Sequence, residues 1–352
     1  MAEIIDEEDL PPSWEPVDAG KWLKGPRQPM QPTLGHRSDG VYLFYPGKTH
    51  TVFGDTESGK SWLMLYVSTQ EIEQGHHVWY IDFEDSADTI LGRLLTLTDD
   101  EDAIARYFHY VAPAVPLWNG ELLATRIEGA TLVTIDGVTE ALSMHDSSGR
   151  DEDAVAKFGV MIAAPLAATG AAVVTLDHVV KSREAQGRNP IGSVHKLNSI
   201  SGAAYRMENR EPFGRGRTGI SDLYVAKDRP GYVRQLGPVA KNKMVHAATL
   251  TLASQSEADR TEVSLDNPSG DFRPTTLMER ISRAAKSHGE PVTKTALVNL
   301  VEGNKQAKMQ AVDHLVSEGF LAPADGSGTR KKLVHVKLYL KASDQAPILD
   351  DI

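Results

Sequence analysis

Cysteine is absent from the 352 residues, which excludes a disulfide framework, thiolate metal sites and a cysteine nucleophile. Long apolar runs are missing too: nothing approaches the ~18 uninterrupted residues that mark a membrane-spanning helix. The first 20 residues hold no base, only the acids Glu3, Asp6, Glu7, Glu8, Asp9, Glu15 and Asp18, the reverse of a signal peptide's start. These absences lead to the expectation of a soluble, cytoplasmic protein with no membrane partner. A net charge of −11 argues against a chain that coats nucleic acid with its whole surface.

What is present begins with GDTESGKS, Gly54 to Ser61. The segment fits G-x-x-x-x-G-K-[ST], in which successive backbone N–H groups turn inward around the phosphates of a nucleoside triphosphate. Gly54, Asp55, Thr56, Glu57, Ser58, Gly59, Lys60 and Ser61 are therefore the expected nucleotide-binding residues. Lys60 would reach the β- and γ-phosphates, and the Ser61 hydroxyl would take one Mg²⁺ position. The flanks agree: VYLFYPGKTHTVF is β-rich, and SWLMLYVSTQEI is apolar at helical spacing. A helix N-terminus is then aimed at the phosphates, and ATP with Mg²⁺ is the expected cofactor pair.

Residues 1–40 read as an acidic, Pro-rich arm. From 41 to 255, strand-like runs (THTVFG, HVWYIDF, TLVTID, AAVVTLDH, SDLYVAKD, ATLTLA) alternate with helical ones such as SADTILGRLLTL and EDAVAKFGVMIAAPLAATG. That alternation predicts an α/β fold with a mainly parallel sheet. Residues 256–274 change composition and read as a linker, 275–342 as a small domain of three short helices and a hairpin, and 343–352 as a tail. Two acidic features read as bland: the group around His145, Asp146, Asp151, Glu152 and Asp153 as a solvated loop, and Asp99–Asp102 as a charged helix start.

Hydrolysis needs more than a phosphate loop. TLVTID supplies Asp136 as the second Mg²⁺ residue, although an acid there also reads as the N-cap of a helix over VTEAL. In many P-loop ATPases the next residue is Glu and serves as base; here it is Gly137, so the base must lie elsewhere. HVWYIDFEDS offers Glu84 at a strand tip, with Asp82 and Asp85 as competitors for that role.

P-loop, Glu at the second strand, Asp at the next and His at the fourth make up a pattern that resembles the RecA-like ATPases. More narrowly, YPGKTHTVFGDTESGKSW, WYIDFEDSADTILGRL, VTIDGVTEAL, VTLDHVVKS and LYVAKDRPG resemble the RepA-type and AAA_25-like, DnaB-related helicase ATPases of plasmids, phages and bacterial chromosomes. The resemblance spans roughly residues 45–231 and implies a RecA-like core. It implies that His178 senses the γ-phosphate, though a strand-end histidine bonded to backbone reads as well. It also implies that Lys227 and Arg229, in VAKDRPG, reach the neighbouring subunit's γ-phosphate. The same segment also reads as a plain β-turn. The inter-subunit role would make a homo-oligomer, expected as a hexameric ring, the active form.

Between Lys181 and Arg217 stand eight Lys or Arg against three acids. In the loop VVKSREAQGRNPIGSVHKLN, Lys181, Arg183, Arg188 and Lys196 would track the phosphates of single-stranded DNA in a central channel, a solvated surface loop being the alternative. Few aromatics interleave, so base stacking is not indicated. Residues 276–341 carry eleven Lys or Arg against six acids and resemble a winged helix. Lys305 and Lys308 would open its recognition helix toward duplex DNA. Such domains also dock proteins. The resulting expectation is an ATP-hydrolysing helicase or translocase. Its rivals are a filament-forming recombination or repair ATPase and an ATP-switched DNA-binding regulator.

Overall fold

The computed structural model describes residues 16–25, 30–145, 152–179, 197, 199–237, 239–240, 243–254, 260–268, 275–302, 305–324 and 332–340. Two units are distinguished, residues 1–30 and 31–352. In the first, α1 (Ala19–Lys24) is capped by Asp18, whose side chain accepts from the Lys21 amide at 3.0 Å. Trp22 and Leu23 of this helix are exposed.

The second unit is built on a nine-stranded sheet. Its strands are β3 (Thr49–Gly54), β4 (His77–Asp82), β5 (Phe108–Val111), β6 (Ala130–Asp136), β7 (Ala172–His178), β8 (Ala203–Glu211), β9 (Thr218–Asp228), β10 (Val245–Ser254) and β11 (Thr261–Asp266). The order is β11-β10-β9-β8-β3-β7-β6-β4-β5. From β8 to β5 every pairing is parallel; β8–β9, β9–β10 and β10–β11 are antiparallel. The mainly parallel sheet expected from the sequence is therefore present.

Alternating side chains divide between two cores, as a pleated strand requires. Val78 and Tyr80 of β4, Leu132 of β6 and Val174 of β7 join Leu63, Met64 and Val67 of α2 (Lys60–Ile72) and Ile90 and Leu94 of α3 (Ala87–Leu97). Ile81, Val133, Ile135 and Val173 point the other way. They meet Ala141 and Leu142 of α6 (Val138–Met144) and the helical run Glu152–Ala168, which contains a π-helical turn at Gly159–Ala163. Strands buried on both faces read as near-continuous apolar runs, which is why TLVTID and AAVVTLDH stood out. The acidic run at 99–102 does open a helix, α4 (Glu101–Tyr107), with Asp100 as its N-cap. A further short helix, α5 (Gly120–Arg126), precedes β6.

Two boundaries differ from expectation. The small strands β1 (Leu34–His36) and β2 (Tyr42–Phe44) pair, and Leu34 is buried in the core, so ordered structure reaches back into the stretch read as an arm. Arg37 holds it there, donating to the carbonyls of Ala247 and Leu236 and pairing with Asp39. Likewise β11 lies within the stretch read as a linker. Its six residues pair along β10, which composition alone did not reveal. The C-terminal part has helices α9 (Thr275–His288), α10 (Lys294–Asn299) and α11 (Lys305–Ser317), with a sheet ordered β12 (Val292–Thr293), β14 (Lys332–His335), β13 (Leu321–Pro323). Among the described residues, no helix is long and apolar enough to cross a membrane.

One buried group gives the fold a pH signature. His50 of β3 is fully buried; its Nδ1 accepts from the Ala203 amide and its Nε2 faces the Tyr45 carbonyl. Burial pushes its pKa down to about 4. The unfolded chain binds a proton below about pH 6.5 that the folded chain refuses, so stability should be level above that pH and fall as pH drops toward 4. Urea unfolding at pH 5 should show about 2 kcal/mol less stability from this site than at pH 7.5. In His50→Gln that part of the dependence should vanish; an unchanged slope would assign it to other groups.

Candidate active site

The register of the parallel strands gathers the chemistry at one edge. Gly54 lies opposite His178 of β7, and Asp136 of β6 lies opposite Asp82 of β4, all at the C-terminal ends where open α/β sheets bind ligands. Between β3 and α2 runs the loop Asp55–Gly59. Gly59 has φ +90, and a Cβ there would come within 2.6 Å of the Phe213 ring. A Cβ on Gly54 would meet the Met207 carbonyl at 2.4 Å. Both glycines are thus imposed by the close approach of the β8–β9 hairpin. The Lys60 ammonium lies within the loop, donating to the carbonyls of Gly54 at 3.1 Å and Asp55 at 2.9 Å. Burial lowers its pKa, and the carboxylates of Asp136, Glu84, Asp177 and Asp55 oppose that.

Ser61, the second residue of α2, donates from Oγ to Asp136 Oδ2 at 2.7 Å, and Tyr80 donates to the same oxygen at 2.6 Å. Burial raises the pKa of Asp136, while the bonds from Tyr80 and Ser61 hold it down. The alternative of Asp136 as a helix cap is not what forms: α6 follows Gly137 with no side-chain cap. A hydroxyl beside a buried, hydrogen-bonded carboxylate is an all-oxygen donor set of the kind Mg²⁺ takes, so the residues present fit that ion. Among the described residues, no group of three or more His, Asp or Glu side chains is placed to hold another metal.

Glu84 sits just past β4. Its Oε1 is 3.1 Å from His178 Nε2, and this bond holds the Glu84 pKa below the ordinary carboxylate value against the effect of burial. The same bond raises the pKa of His178. Asp82, a competitor for the base role, is buried and holds the turn instead. Its Oδ1 accepts from the amides of Glu84 at 2.9 Å and Asp85 at 3.1 Å, and its Oδ2 from the Tyr110 hydroxyl at 3.1 Å. Asp85 faces Arg93 at 3.5 Å, and Arg93 lies over the Trp62 ring. Gly137 has φ +83, and a Cβ there would come within 2.7 Å of Glu84 Cγ. The glycine after Asp136 therefore makes room for a carboxylate from the neighbouring strand.

Lys60, Ser61, Glu84, Asp136 and His178 line a cleft of about 980 Å³ together with Phe213, Gly214, Arg215, Leu252 and Arg260. Tyr80, Tyr110, Trp62, Phe213 and Glu140 were not singled out from sequence. The aromatics carry no motif of their own, and only register and hairpin packing bring them here.

Other expected residues divide. Arg229 is exposed just after β9, its amide donating to the Gly202 carbonyl at 3.0 Å. Lys227, expected to reach a neighbouring subunit's γ-phosphate, here donates from its ammonium to the carbonyls of Leu197 at 2.6 Å and Ile200 at 3.1 Å. Lys181, Arg183, Arg188 and Lys196 lie outside the described residues. Lys305 is exposed at the start of α11. Lys308 corrects the expectation of a DNA contact, because it is buried and donates to the Val301 carbonyl at 2.8 Å, closing the α10–α11 connection. His145, in the acidic group read as a solvated loop, is buried, its Nδ1 lying 2.6 Å from the Ala141 carbonyl.

A comparison with curated proteins gives no match. Residues 22–184, which hold the phosphate loop, Glu84, Asp136 and His178, match the AAA_25 family model, an AAA domain. That match, together with this geometry, supports a P-loop ATPase domain of the RecA/DnaB-like helicase family over residues 22–184.

Proposed function

We propose that the protein is a Mg²⁺-dependent ATPase that works on DNA as a helicase or translocase, assembled as a ring with its active sites between subunits. The observation that carries the hydrolytic part is the meeting, at one sheet edge, of Lys60, the Ser61–Asp136 pair and Glu84. Lys60 exchanges the Gly54 and Asp55 carbonyls for phosphate oxygens, and the loop amides hold the rest of the anion. Ser61 and Asp136 would hold Mg²⁺, which would supply positive charge beside the phosphate chain. Glu84 orients the attacking water and takes its proton. His178, already bonded to Glu84, feels both the γ-phosphate and the base.

The motor part rests on the family and on Arg229, exposed at the end of β9, where it would reach a neighbour's γ-phosphate. The basic segment 181–196 would track single-stranded DNA. The helix–strand–helix–helix–strand–strand order of residues 275–335 suits a winged helix, with Lys305 toward duplex. That order also favours a second reading, a regulator whose DNA affinity is set by ATP. Ala253 of β10 packs into the C-terminal core, and Arg280 of α9 lies 3.8 Å from Glu262 of β11, so the two parts share an edge.

ATP hydrolysis measured with and without single-stranded DNA, while light scattering follows assembly mass, separates the readings. Strong stimulation with assembly is the expected result for a motor. Slow turnover indifferent to single strands, with tight binding to one duplex sequence, would replace the motor by the regulator.

A further inference from the structure

Glu140, the third residue of α6, stands beside the proposed base with no part in holding phosphate or metal. A Cβ placed on Gly137 would lie 2.7 Å from Glu84 Cγ and 3.3 Å from Glu140 Oε2, so the two side chains meet over that glycine. Their carboxyls share the space above Gly137. Two carboxyls can bond only if one keeps its proton. Glu84 faces His178 Nε2 at 3.1 Å and the Lys60 ammonium, which favour its charged form. Glu140 Oε2 is shut from solvent with no hydrogen-bond partner among the described residues, which makes an ionised carboxylate costly there.

We infer that Glu140 is a positioning residue: it keeps its proton, donates to Glu84, and with His178 clamps the base in the orientation that water activation needs. The inference rests on the reading of Glu84 as base. The charged groups around the pair are His178 and Asp177 from β7, Lys60 from α2 and Asp136 from β6. Burial raises the Glu140 pKa, its own backbone amide holds it down in part, and the neighbouring Glu84 carboxyl raises it further. Once Glu140 ionises at higher pH, the donor is lost and two carboxylates repel. Turnover should therefore decline on the alkaline side.

The test is ATP turnover by the full chain from pH 6 to 9.5 for wild type, Glu140→Ala, Glu140→Gln and Glu84→Gln, with nucleotide affinity measured alongside. Glu140→Ala should lower kcat by more than about tenfold with little change in affinity, the scale of losing a hydrogen bond to a charged group. Glu140→Gln restores a donor that cannot ionise, so it should recover most of that loss and flatten the alkaline decline. Equal losses in both variants with the decline unmoved, or no loss in either, would overturn the inference. If Glu140→Ala does not fold, the pH profile of Glu140→Gln decides alone. Normal turnover in Glu84→Gln would instead remove the base assignment itself, a distinct outcome.

Discussion

Arg229→Ala is expected to lower ATP turnover by about 10³- to 10⁵-fold while nucleotide affinity stays within about threefold, the scale of an arginine supplied to a transferring phosphoryl group. The turn that presents it is stiff. Asp228 accepts from the Tyr45 hydroxyl at 3.0 Å and from the Arg234 amide at 3.1 Å, and the same hydroxyl accepts from the amides of Tyr232 and Val233. A side chain on so fixed a turn would be spared the backbone part of the ordering cost on meeting a neighbour's phosphate. Mixing identifies where the arginine acts. Arg229→Ala and Lys60→Ala chains should each be inactive alone, yet in a mixed assembly some junctions would hold one intact Lys60 and one intact Arg229. Recovered turnover on mixing supports action across the interface. Full activity in Arg229→Ala, or no recovery on mixing, would leave the active site within one chain.

Glu84→Gln should retain ATP and lower kcat by about 10²- to 10⁴-fold, the usual yield of a positioned general base. The amide keeps the shape of the side chain and its contact over Gly137, so assembly and affinity serve as internal controls. It cannot accept the proton from water. Asp82 cannot replace it, because its Oδ1 is committed to the amides of Glu84 and Asp85 and its Oδ2 to Tyr110. A kcat within about fivefold of wild type would pass the base role to another group, Asp85 first.

The phosphate loop, Asp136 and the parallel core could be read from the chain because local rules write them: a fixed spelling for the loop, and doubly buried apolar runs for β6 and β7. What could not be read depends on pairing between distant segments. The strand Ala203–Glu211 mixes Arg206, Glu208, Asn209 and Arg210 into its run, and it forms because β3 and β9 flank it. Lys308 looked like a surface cation by composition, yet the fold turns it inward to a carbonyl. Glu140 carries no signal in the sequence, and only the bare Gly137 brings it beside Glu84.

The crowding over Gly137 also bears on how this catalytic arrangement can change by mutation. A lineage that lost Glu84 could not simply regain a base by moving the acid to position 137. The backbone there is left-handed at φ +83, and the space is filled by residues of the adjoining turn, including Phe83. With Glu84 as the base, its place at the exit of β4 would resist relocation to position 137, and revertants selected from an inactive Glu84 variant should restore the codon at 84 itself.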